Sequence, residues 1–402
     1  MQKTILHVDG DSFFASCEVS LDVSLRGKPV VTGHERGIAT AMSKEAKALG
    51  VTRGMPIFKI KKDFPQVVVV NSNYFAYGLF AERMYNIVRR YTDKVEEYSI
   101  DECFADLTGL KEPIWAIGEA LKADLKAELG MTFSIGIAPT KVLAKVASKT
   151  RKPDGLTVIE TTEIENFLKD LPINKVWGIG PQTSQKLQSL GIKTALEFIN
   201  KPSDWIETNL ARPYIDTWNE LRGLSVHPVS IESDEQKSIQ HTRMFGIKTN
   251  NKEIILSELS MHVECACARA RQMHLTPKRI YFFLKTAEFR YHRGEINLDR
   301  PSTSPSDIMK AIEVSFKNVY RPNIQYRSSG VTLAGLSSGF QNDLFGEVVK
   351  SEKSQKVFKV VDKIDKRFGT GTIILGSSLN ANKRRGNTPS RHFKILYMGE
   401  VV

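Results

Sequence analysis

The chain has 402 residues, of which 41% are hydrophobic and 25% are charged, and its formal net charge is +12 at pH 7. This length predicts about two to four domains, and no apolar run approaches the roughly 20 residues of a membrane-spanning helix. The cysteines are scattered and lack the spacing of a zinc pair. Because Asp9 interrupts the start too early for a signal peptide, we expect a reduced, cytoplasmic protein without a membrane partner.

The excess positive charge lies toward the C-terminus. Residues 1–240 contain 30 Lys and Arg against 31 Asp and Glu, residues 241–338 contain 15 against 8, and residues 339–402 contain 12 against 6. A basic module after a neutral one favours a polyanion, such as nucleic acid, held against a site on the neutral part. Solubility alone would also account for the charge.

The first half of the chain alternates strand and helix patterns. The predicted elements are a strand at Thr4–Val8, a helix from about Ser12, a Gly-, Pro- and Lys-rich insertion over 26–77 with a helix near Ser43–Leu49, a helix at about Tyr77–Tyr91, two short strands within 95–107, a helix at about Pro113–Leu129, a strand at Thr132–Ile137 and a Lys-rich helix from about Thr140. Without the insertion, this order is that of the ferredoxin-like arrangement.

Three carboxylates are expected to converge in that arrangement. The acidic pair Asp101 and Glu102 joins the two short strands, and Asp9 ends the first strand. The topology places the first strand beside the hairpin, so the three groups would repel one another without cations. Such a cluster is typical of two Mg²⁺ ions and phosphoryl transfer. The alternatives are an exposed hairpin turn, and a capping role for Asp9 that Asp11 could equally perform.

Lysines near this cluster are candidate partners of a triphosphate. Lys141, Lys145 and Lys149 lie four residues apart on one face of the Lys-rich helix. Lys44 and Lys47 in the insertion are weaker candidates. The alternative interpretation is a solvated helix face.

The second half begins after a turn at Lys152–Gly155. Gly178-Ile179-Gly180 precedes a helix pattern that ends near Leu190, which is typical of a helix-hairpin-helix that holds a DNA phosphate on backbone amides; an ordinary tight turn is the alternative. Residues 231–240 are polar and predict a linker. The remaining predicted elements are strands near His241–Phe245 and Arg279–Lys285, helices near Glu253–Gln272 and Ser306–Val319, and an apolar and basic tail beyond Ser337.

Ten segments carry a family resemblance over nearly the whole chain. They are DGDSFFASCE (9–18), GKPVV (27–31), EAKALGV (45–51), SNY (72–74), YSIDECFADLTG (98–109), GIAPTKVLAK (136–145), VWGIG (176–180), FLKT (283–286), QNDLF (341–345) and GTGTIILG (369–376). With these segments the chain resembles the Y-family, or translesion, DNA polymerases, and most closely the UmuC type. The first and fifth segments together are the most specific.

The resemblance implies an α+β right-hand polymerase with a ferredoxin-like palm, small fingers, a helical thumb with a helix-hairpin-helix and an α/β little finger. The implied domains are the palm at 1–25 and 78–166, the fingers at 26–77, the thumb at 167–232, the little finger at 241–338 and a C-terminal tail with a clamp-binding motif at 339–402.

The resemblance also implies roles for single residues in the palm and fingers. Asp9, Asp101 and Glu102 would be catalytic ligands of two Mg²⁺ ions, with the Gly10 carbonyl completing one metal shell. Phe13 would pack beneath the incoming nucleotide, and Phe14 would be the steric gate against a ribose 2′-hydroxyl. Lys47 and Lys145 would contact the triphosphate. Phe14 departs from the Tyr common in UmuC types, and Lys44 departs from the Tyr of DinB-type members.

The resemblance also implies which residues contact DNA and protein partners. Gly178 and Gly180 would hold the DNA backbone in the thumb. Lys278, Arg279 and Lys285 would bind duplex DNA without sequence preference. Gln341, Leu344 and Phe345 resemble the bacterial sliding-clamp peptide, in which an apolar pair enters a clamp pocket; packing of Leu344 and Phe345 on the little finger is the alternative.

The expected activity is low-fidelity, template-directed DNA synthesis past damaged bases, without proofreading. The expected partners are primer–template DNA, deoxynucleoside triphosphates and a sliding clamp, and the sequence leaves open a need for UmuD-like and RecA-like proteins. A nucleotidyl cyclase shares the palm but does not explain the helix-hairpin-helix or the basic C-terminal third. A catalytically inactive, clamp-recruited scaffold does not explain the three carboxylates and the gate.

Overall fold

In the computed structural model, the described residues are 3–232, 235–338, 348–369 and 371–384. The chain divides into two compact units, Met1–Ser233 and Asp234–Val402. None of the helices in the described ranges combines the length and the apolar character of a membrane-spanning segment.

The first unit is built on a five-stranded sheet. Its strands lie, in sheet order, at Val95–Ser99, Glu102–Asp106, Ile5–Gly10, Phe133–Ala138 and Leu156–Val158. The first four are antiparallel neighbours in the predicted ferredoxin-like order. The fifth pairs parallel with its neighbour and was not predicted, because three residues are too few to show a periodic pattern.

Two long helices cover one face of this sheet. They run over Tyr74–Val88 and Ile114–Leu129, within three residues of the predicted bounds. Leu6 and Val8 of the central strand are fully buried beneath them in one apolar core. Ile5 of the same strand belongs to a second core, so alternate residues of the strand face opposite sides of the sheet.

The opposite face is covered by the helix Lys141–Thr150, which we call the lysine helix. Gly136 allows its close approach, because a Cβ added there would lie 2.1 Å from the Ala144 carbonyl oxygen. Since Leu6 and Val8 face the other core, His7 and Asp9 of the same strand face the lysine helix. This geometry puts the end of the central strand under a row of basic side chains.

The insertion forms its own small layer. It holds a three-stranded sheet and two helices, at Val30–Thr32, Ala41–Met42 and Val68–Val70, and at Lys44–Ala48 and Ile57–Asp63. The first of these helices was predicted, whereas the second and the sheet were not. A separate apolar cluster around Val31, Ile57 and Ile60 holds the layer together.

The rest of the first unit is helical. The helix Phe13–Leu21 follows the central strand, and five more helices follow the sheet, at Ile164–Leu168, Pro181–Ser189, Ala195–Ile199, Ser203–Asn209 and Arg212–Leu221. The last five share an apolar core with the lysine helix. They are therefore seated on the same side of the sheet as His7 and Asp9.

The second unit is a four-stranded antiparallel sheet with helices on one face. In sheet order the strands are Tyr291–Asn297, Leu275–Thr286, Tyr326–Ser338 and Ser238–Thr249, and the covering helices are Lys252–Gln272 and Pro305–Val319. Two of these strands were not predicted.

The predicted tail also contains helices. They lie at Val348–Phe368 and Leu379–Arg384. Arg271 forms a two-pronged ion pair with Asp362, with both N–O distances at 2.7 Å, and the Ala381 amide donates to Ser257 Oγ at 3.0 Å. The described part of the tail therefore packs on the long helix of the second unit and does not extend from it.

Candidate active site

Sheet register brings the predicted carboxylates together. Asp9 and Glu102 are direct partners across the central antiparallel pair, where Cβ atoms lie about 5 Å apart. Asp101 precedes Glu102 at the end of the hairpin, and its carbonyl accepts the Gly10 amide at 2.9 Å. The fold therefore brings Asp9 beside Asp101 and Glu102, as the strand order predicted, whereas their role as metal ligands stays a prediction.

The Asp9 carboxylate lies in an unfavourable place for a charge. Asp9 is 5% exposed, and burial, with smaller repulsion from Glu102 and Asp101, raises its pKa to about 6. Lys152 opposes this shift because its ammonium is bound to Asp9 Oδ1 and lies 3.8 Å from Asp11 Oδ1. Neither Asp9 nor Asp11 caps the following helix, because its N-cap residue is Ser12, whose side chain makes no capping hydrogen bond. The capping alternative is therefore wrong.

The pKa of Glu102 is shifted in the opposite direction to that of Asp9. Burial raises its pKa, but hydrogen bonds from His7 and Lys145 outweigh that effect and lower it to about 2. Lys145 Nζ lies 2.5 Å and His7 Nε2 3.3 Å from the same oxygen, Oε2. Glu102 is thus a fixed anion, whereas Asp9 gains or loses a proton near pH 6.

Lys152 was missed by the sequence analysis, where it belonged only to a turn. The unpredicted strand Leu156–Val158 runs beside Phe133–Ala138 and carries the preceding turn to the Asp9 end of the sheet. The Asp154 amide then donates to Asp11 Oδ2 at 2.7 Å, and Ser134 Oγ donates to Asp11 Oδ1 at 2.8 Å. Asp11 therefore fastens this turn in place.

The donor chemistry of the site suits a divalent cation. Three carboxylates and the Gly10 carbonyl offer only oxygen ligands, which Mg²⁺ prefers. Throughout the described ranges no three acidic, His or Cys groups are gathered closely enough to form a ready-made metal cluster. Two of the three carboxylates are engaged by Lys145 and Lys152, so a cation would exchange with these ammonium groups.

The three lysines of the lysine helix differ in their surroundings. Lys141 is buried and donates to both oxygens of Glu96, at 2.6 and 2.7 Å. Lys145 is 4% exposed and lies 4.2 Å from the Tyr98 ring centre and 4.8 Å from that of Trp177. Lys149 is exposed. The alternative of a solvated helix face therefore applies to Lys149 alone, and a triphosphate contact by Lys145 stays a prediction.

An aromatic group lies next to the carboxylates. Phe13 is buried, and its ring closely approaches Gly10, where an added Cβ would lie 2.6 Å from it. The half-buried Phe14 ring stacks on Tyr77, with centroids 4.5 Å apart and planes at 13°, and meets Tyr74 edge-on at 5.4 Å. The two tyrosines fix the ring in place, a role that the sequence analysis did not foresee.

The inserted layer contributes one lysine to this side of the site. Lys47 Nζ donates to Ser12 Oγ at 2.8 Å. Ser12 directly precedes Phe13 and Phe14 in the chain. Lys44, in contrast, is exposed and pairs only loosely with Glu45, at 3.9 Å. Of the two weak candidates, Lys47 is therefore the one beside the aromatic group.

The predicted helix-hairpin-helix glycines lie at a helix start. Gly178 has φ of +91°, a conformation that favours glycine, and Gly180 is the N-cap of the helix Pro181–Ser189. Trp177, the preceding residue, contacts Tyr98 and Lys145. The loop therefore contacts Lys145, which is hydrogen-bonded to Glu102.

The basic candidates of the second unit lie on one strand. Lys278, Arg279 and Lys285 belong to Leu275–Thr286. Ile280, Phe282 and Leu284 of this strand are buried under the helices, so Arg279 and Lys285 alternate onto the open face of the sheet. The clamp-motif residues Gln341, Leu344 and Phe345 lie outside the described residues.

Comparisons with known protein families cover most of the chain. Three family models match it: the impB/mucB/samB family over residues 8–149, the IMS family HHH motif over 161–192, and the impB/mucB/samB family C-terminal domain over 236–344. The second match coincides with the segment that contains Gly178 and Gly180.

Curated relatives agree with these matches. The chain is 31% identical to a DNA polymerase IV of Desulfatibacillum aliphaticivorans, over 92% of this chain and 96% of the relative. It is also 31% identical to the protein UmuC of Salmonella typhimurium, over 91% of each. These identities do not separate the DinB type from the UmuC type.

Solved structures agree with these family and relative matches. A Y-family DNA polymerase chimera of Dbh and Dpo4 superposes with a TM-score of 0.73 at 26% identity, covering 84% of this chain and all of that one. An insertion ternary complex of Dbh DNA polymerase has a TM-score of 0.58 with the same identity and coverage. None of these matches supports a cyclase or a scaffold. The chain belongs to the Y family of DNA polymerases, within the UmuC/DinB superfamily, and is a DNA-directed DNA polymerase of the translesion type.

Proposed function

We propose that Asp9, Asp101 and Glu102, with the main-chain carbonyl of Gly10, hold two Mg²⁺ ions in this polymerase. The pairing of Asp9 with Glu102 across the central strands is the observation that carries the proposal. Buried carboxylates that repel one another are stabilised by divalent cations. When bound, the two ions supply activation of the primer 3′-hydroxyl and stabilisation of the departing pyrophosphate.

The chain's own groups prepare the pocket for this chemistry. In the metal-free pocket burial raises the pKa of Asp9 to about 6, whereas Glu102, with its low pKa, is an anion at neutral pH. Lys145 and Lys152 balance these charges in the ligand-free pocket. Together with Lys47, they are the cations that would meet a triphosphate.

Phe14 selects deoxynucleotides. Its ring is held by Tyr74 and Tyr77, so it cannot easily turn away from a ribose 2′-hydroxyl. Phe13 lies buried between Gly10 and this ring and forms the floor under the nucleotide.

The domains are assigned by their place in the fold. We propose the five-stranded sheet and its helices as the palm (1–25 and 78–166), the small layer as the fingers (26–77), the following helices as the thumb (167–232), the four-stranded unit as the little finger (241–338) and 339–402 as the tail. The helix Tyr74–Val88 supports a palm that begins a few residues earlier than 78.

DNA is held by two of these domains. Backbone amides around Gly178 and Gly180 bind a phosphate at the start of a nine-residue helix. Lys278, Arg279 and Lys285 bind the duplex backbone through the little finger, without reading sequence. The exposed positions of Lys278 and Arg279 support this role.

Protein partners follow from the sequence alone. Gln341, Leu344 and Phe345 bind a sliding clamp, which raises the local concentration of the enzyme at the primer end. UmuD-like and RecA-like proteins are further candidate partners. We propose that the enzyme acts in the cytoplasm, because template DNA and nucleotides are found in that compartment.

Primer extension with Mg²⁺ tests the proposal. Asp101→Ala should abolish extension on an undamaged template and across an abasic site, while DNA affinity stays nearly unchanged, because the grip belongs to the thumb and little finger. Substantial turnover by Asp101→Ala would contradict the metal assignment. A cyclic product from nucleotide alone, or DNA binding by the parent without turnover, would indicate the cyclase or the scaffold.

A further inference from the structure

One buried imidazole beside the active site has no part in the proposed mechanism. His7 is 0% exposed in the central strand, two residues before Asp9. Its ring is packed 4.6 Å from that of Phe104. A polar ring in such a position needs hydrogen-bond partners, and it has one on each nitrogen.

The first partner is Ser148 of the lysine helix. His7 Nδ1 lies 2.8 Å from Ser148 Oγ, and Ser148 is also buried. This contact depends on the close approach at Gly136, where an added Cβ would lie 2.4 Å from the Ser148 amide nitrogen. The helix and the strand are thus packed so that the serine reaches the ring.

The second partner is the carboxylate of Glu102. His7 Nε2 lies 3.3 Å from Oε2, the oxygen that also accepts from Lys145 at 2.5 Å. An ionised carboxylate can only accept, so Nε2 carries the proton. Ser148 Oγ lies 2.8 Å from His7 Nδ1 and 2.9 Å from the Lys145 carbonyl oxygen, and its single proton can serve only one of them.

These contacts treat the two carboxylate oxygens differently. Both donors converge on Oε2, and Oε1 of Glu102 has no hydrogen bond to any group in the described ranges. We propose that His7 is a positioning residue for catalysis: with Lys145 it holds Oε2, so that Glu102 presents Oε1 to the metal site. This inference rests on the proposed function, in which Glu102 is a metal ligand.

Glutamate needs such support more than aspartate does. Its side chain has three rotatable bonds, and ordering them costs free energy. Hydrogen bonds that orient metal ligands contribute about 10- to 100-fold to metal affinity or activity in other metal sites. Lys145 alone is a poor substitute, because its ammonium is a rotatable point charge.

The test compares His7→Leu with His7→Gln in the full chain. Leu keeps bulk without a donor, whereas Gln keeps an N–H. Binding of Mn²⁺ is followed by electron paramagnetic resonance in the presence of primer–template. We expect His7→Leu to weaken Mn²⁺ binding about tenfold with unchanged DNA affinity, and His7→Gln to retain most of it. Equal losses in both variants, or no loss in either, would overturn the proposal.

Two further variants keep the outcomes separate. Ile5→Ala removes a buried apolar group from the same face of the strand and should lower the melting temperature without changing Mn²⁺ binding; a matching tenfold loss would show that packing alone explains the effect and overturn the proposal. If Glu102→Gln binds Mn²⁺ as tightly as the parent, the proposed function itself fails. If Glu102→Gln loses binding and His7→Leu keeps it, only the role of His7 fails.

Discussion

Asp9 is a residue that the fold keeps at a cost in stability. Its carboxylate is buried between two like charges, and its pKa is raised from 3.8 to about 6. The folded-state pKa therefore lies above the unfolded value. Folding is favoured by this group below about pH 4, and that contribution is lost as the pH rises through 6. At neutral pH the charged Asp9 weakens the metal-free fold.

We therefore expect Asp9→Asn to stabilise the metal-free enzyme while abolishing synthesis. At pH 8 the gain in free energy of unfolding should be about 2–3 kcal/mol, from a pKa shift of roughly two units, and it should vanish near pH 4. Urea unfolding of the first unit, followed at both pH values in the presence of EDTA, measures this gain in free energy of unfolding.

Asp11→Asn is the matched control. Asp11 is equally buried, but its oxygens accept from Ser134 and from the Asp154 amide, so its replacement should lower stability by about 1 kcal/mol. An Asp9→Asn variant that is less stable than the parent at pH 8 would contradict the electrostatic account of Asp9.

Single residues were predictable where a motif or a topology marked them. Asp9, Asp101 and Glu102 followed from strand order and from the resemblance. His7 and Lys152 did not, because one histidine in an apolar strand and one lysine in a turn carry no spacing signal. Their roles depend on the register of the central strand and on the close seating of the lysine helix at Gly136.

The lysine helix shows how one element serves two purposes. Lys141 at its start joins Glu96, which also accepts the Ser230 amide at 2.7 Å. This part-buried pair ties the sheet to the segment that follows the helix Arg212–Leu221. Lys149, two turns later, reaches the surface. Partial burial and the charge of Lys145 lower its pKa, against weaker opposing effects of Glu102 and Asp9. The regular spacing of the lysines hides this difference.

Replacement of each lysine by methionine should separate the two purposes. We expect Lys141→Met to lower the free energy of unfolding by about 2 kcal/mol, with little change in nucleotide KM, because the part-buried Glu96 loses its ammonium partner and keeps only the Ser230 amide. Lys149→Met should raise nucleotide KM and leave stability nearly unchanged. Urea unfolding and steady-state kinetics distinguish these outcomes; a stability loss on Lys149→Met alone would reverse the assignment.

Long elements were predictable and short ones were not. The helices Ile114–Leu129 and Lys252–Gln272 were located within one residue at each end, because their apolar positions recur over several turns. The strand Leu156–Val158 and the sheet of the small layer have two or three residues per strand. Pairing with neighbours defines such strands, and local sequence does not reveal the neighbours.

Charge is divided between the two units of the molecule. The carboxylates lie in the first unit, and the second carries a cluster in which Lys285 lies near Phe289 and Tyr291 and Arg327 lies over Phe289. Cations presented on an open sheet face suit a phosphate backbone. This division explains why net charge predicted a polyanion and could not predict the chemistry done on it.

We expect DNA affinity to depend strongly on salt. Alanine at Arg279 and Lys285, which lie on the open sheet face, should reduce the slope of log K against log salt by about 1.8, at roughly 0.9 for each lost phosphate contact. Fluorescence anisotropy with duplex DNA over a range of KCl concentrations gives the slope.

Alanine at Lys310 and Lys317 is the control. These lysines are exposed on the helix Pro305–Val319, which covers the other face of the same sheet. Their loss should change the slope little. A similar decrease in both sets would show that total charge, and not the open sheet face, governs binding.

The two lysine–carboxylate pairs, Lys145 with Glu102 and Lys152 with Asp9, have a consequence for how the proposed metal and nucleotide site would fill. Two magnesium ions bring about as much positive charge as a triphosphate brings negative charge, so together they form a nearly neutral set. In the proposed mechanism the carboxylates would pair with the ions and the lysines with the phosphates, so that the number of paired charges would be conserved. Entry of substrate is then an exchange of counterions that releases few salt ions. Nucleotide KM should therefore stay almost constant over the range of KCl in which DNA affinity falls steeply.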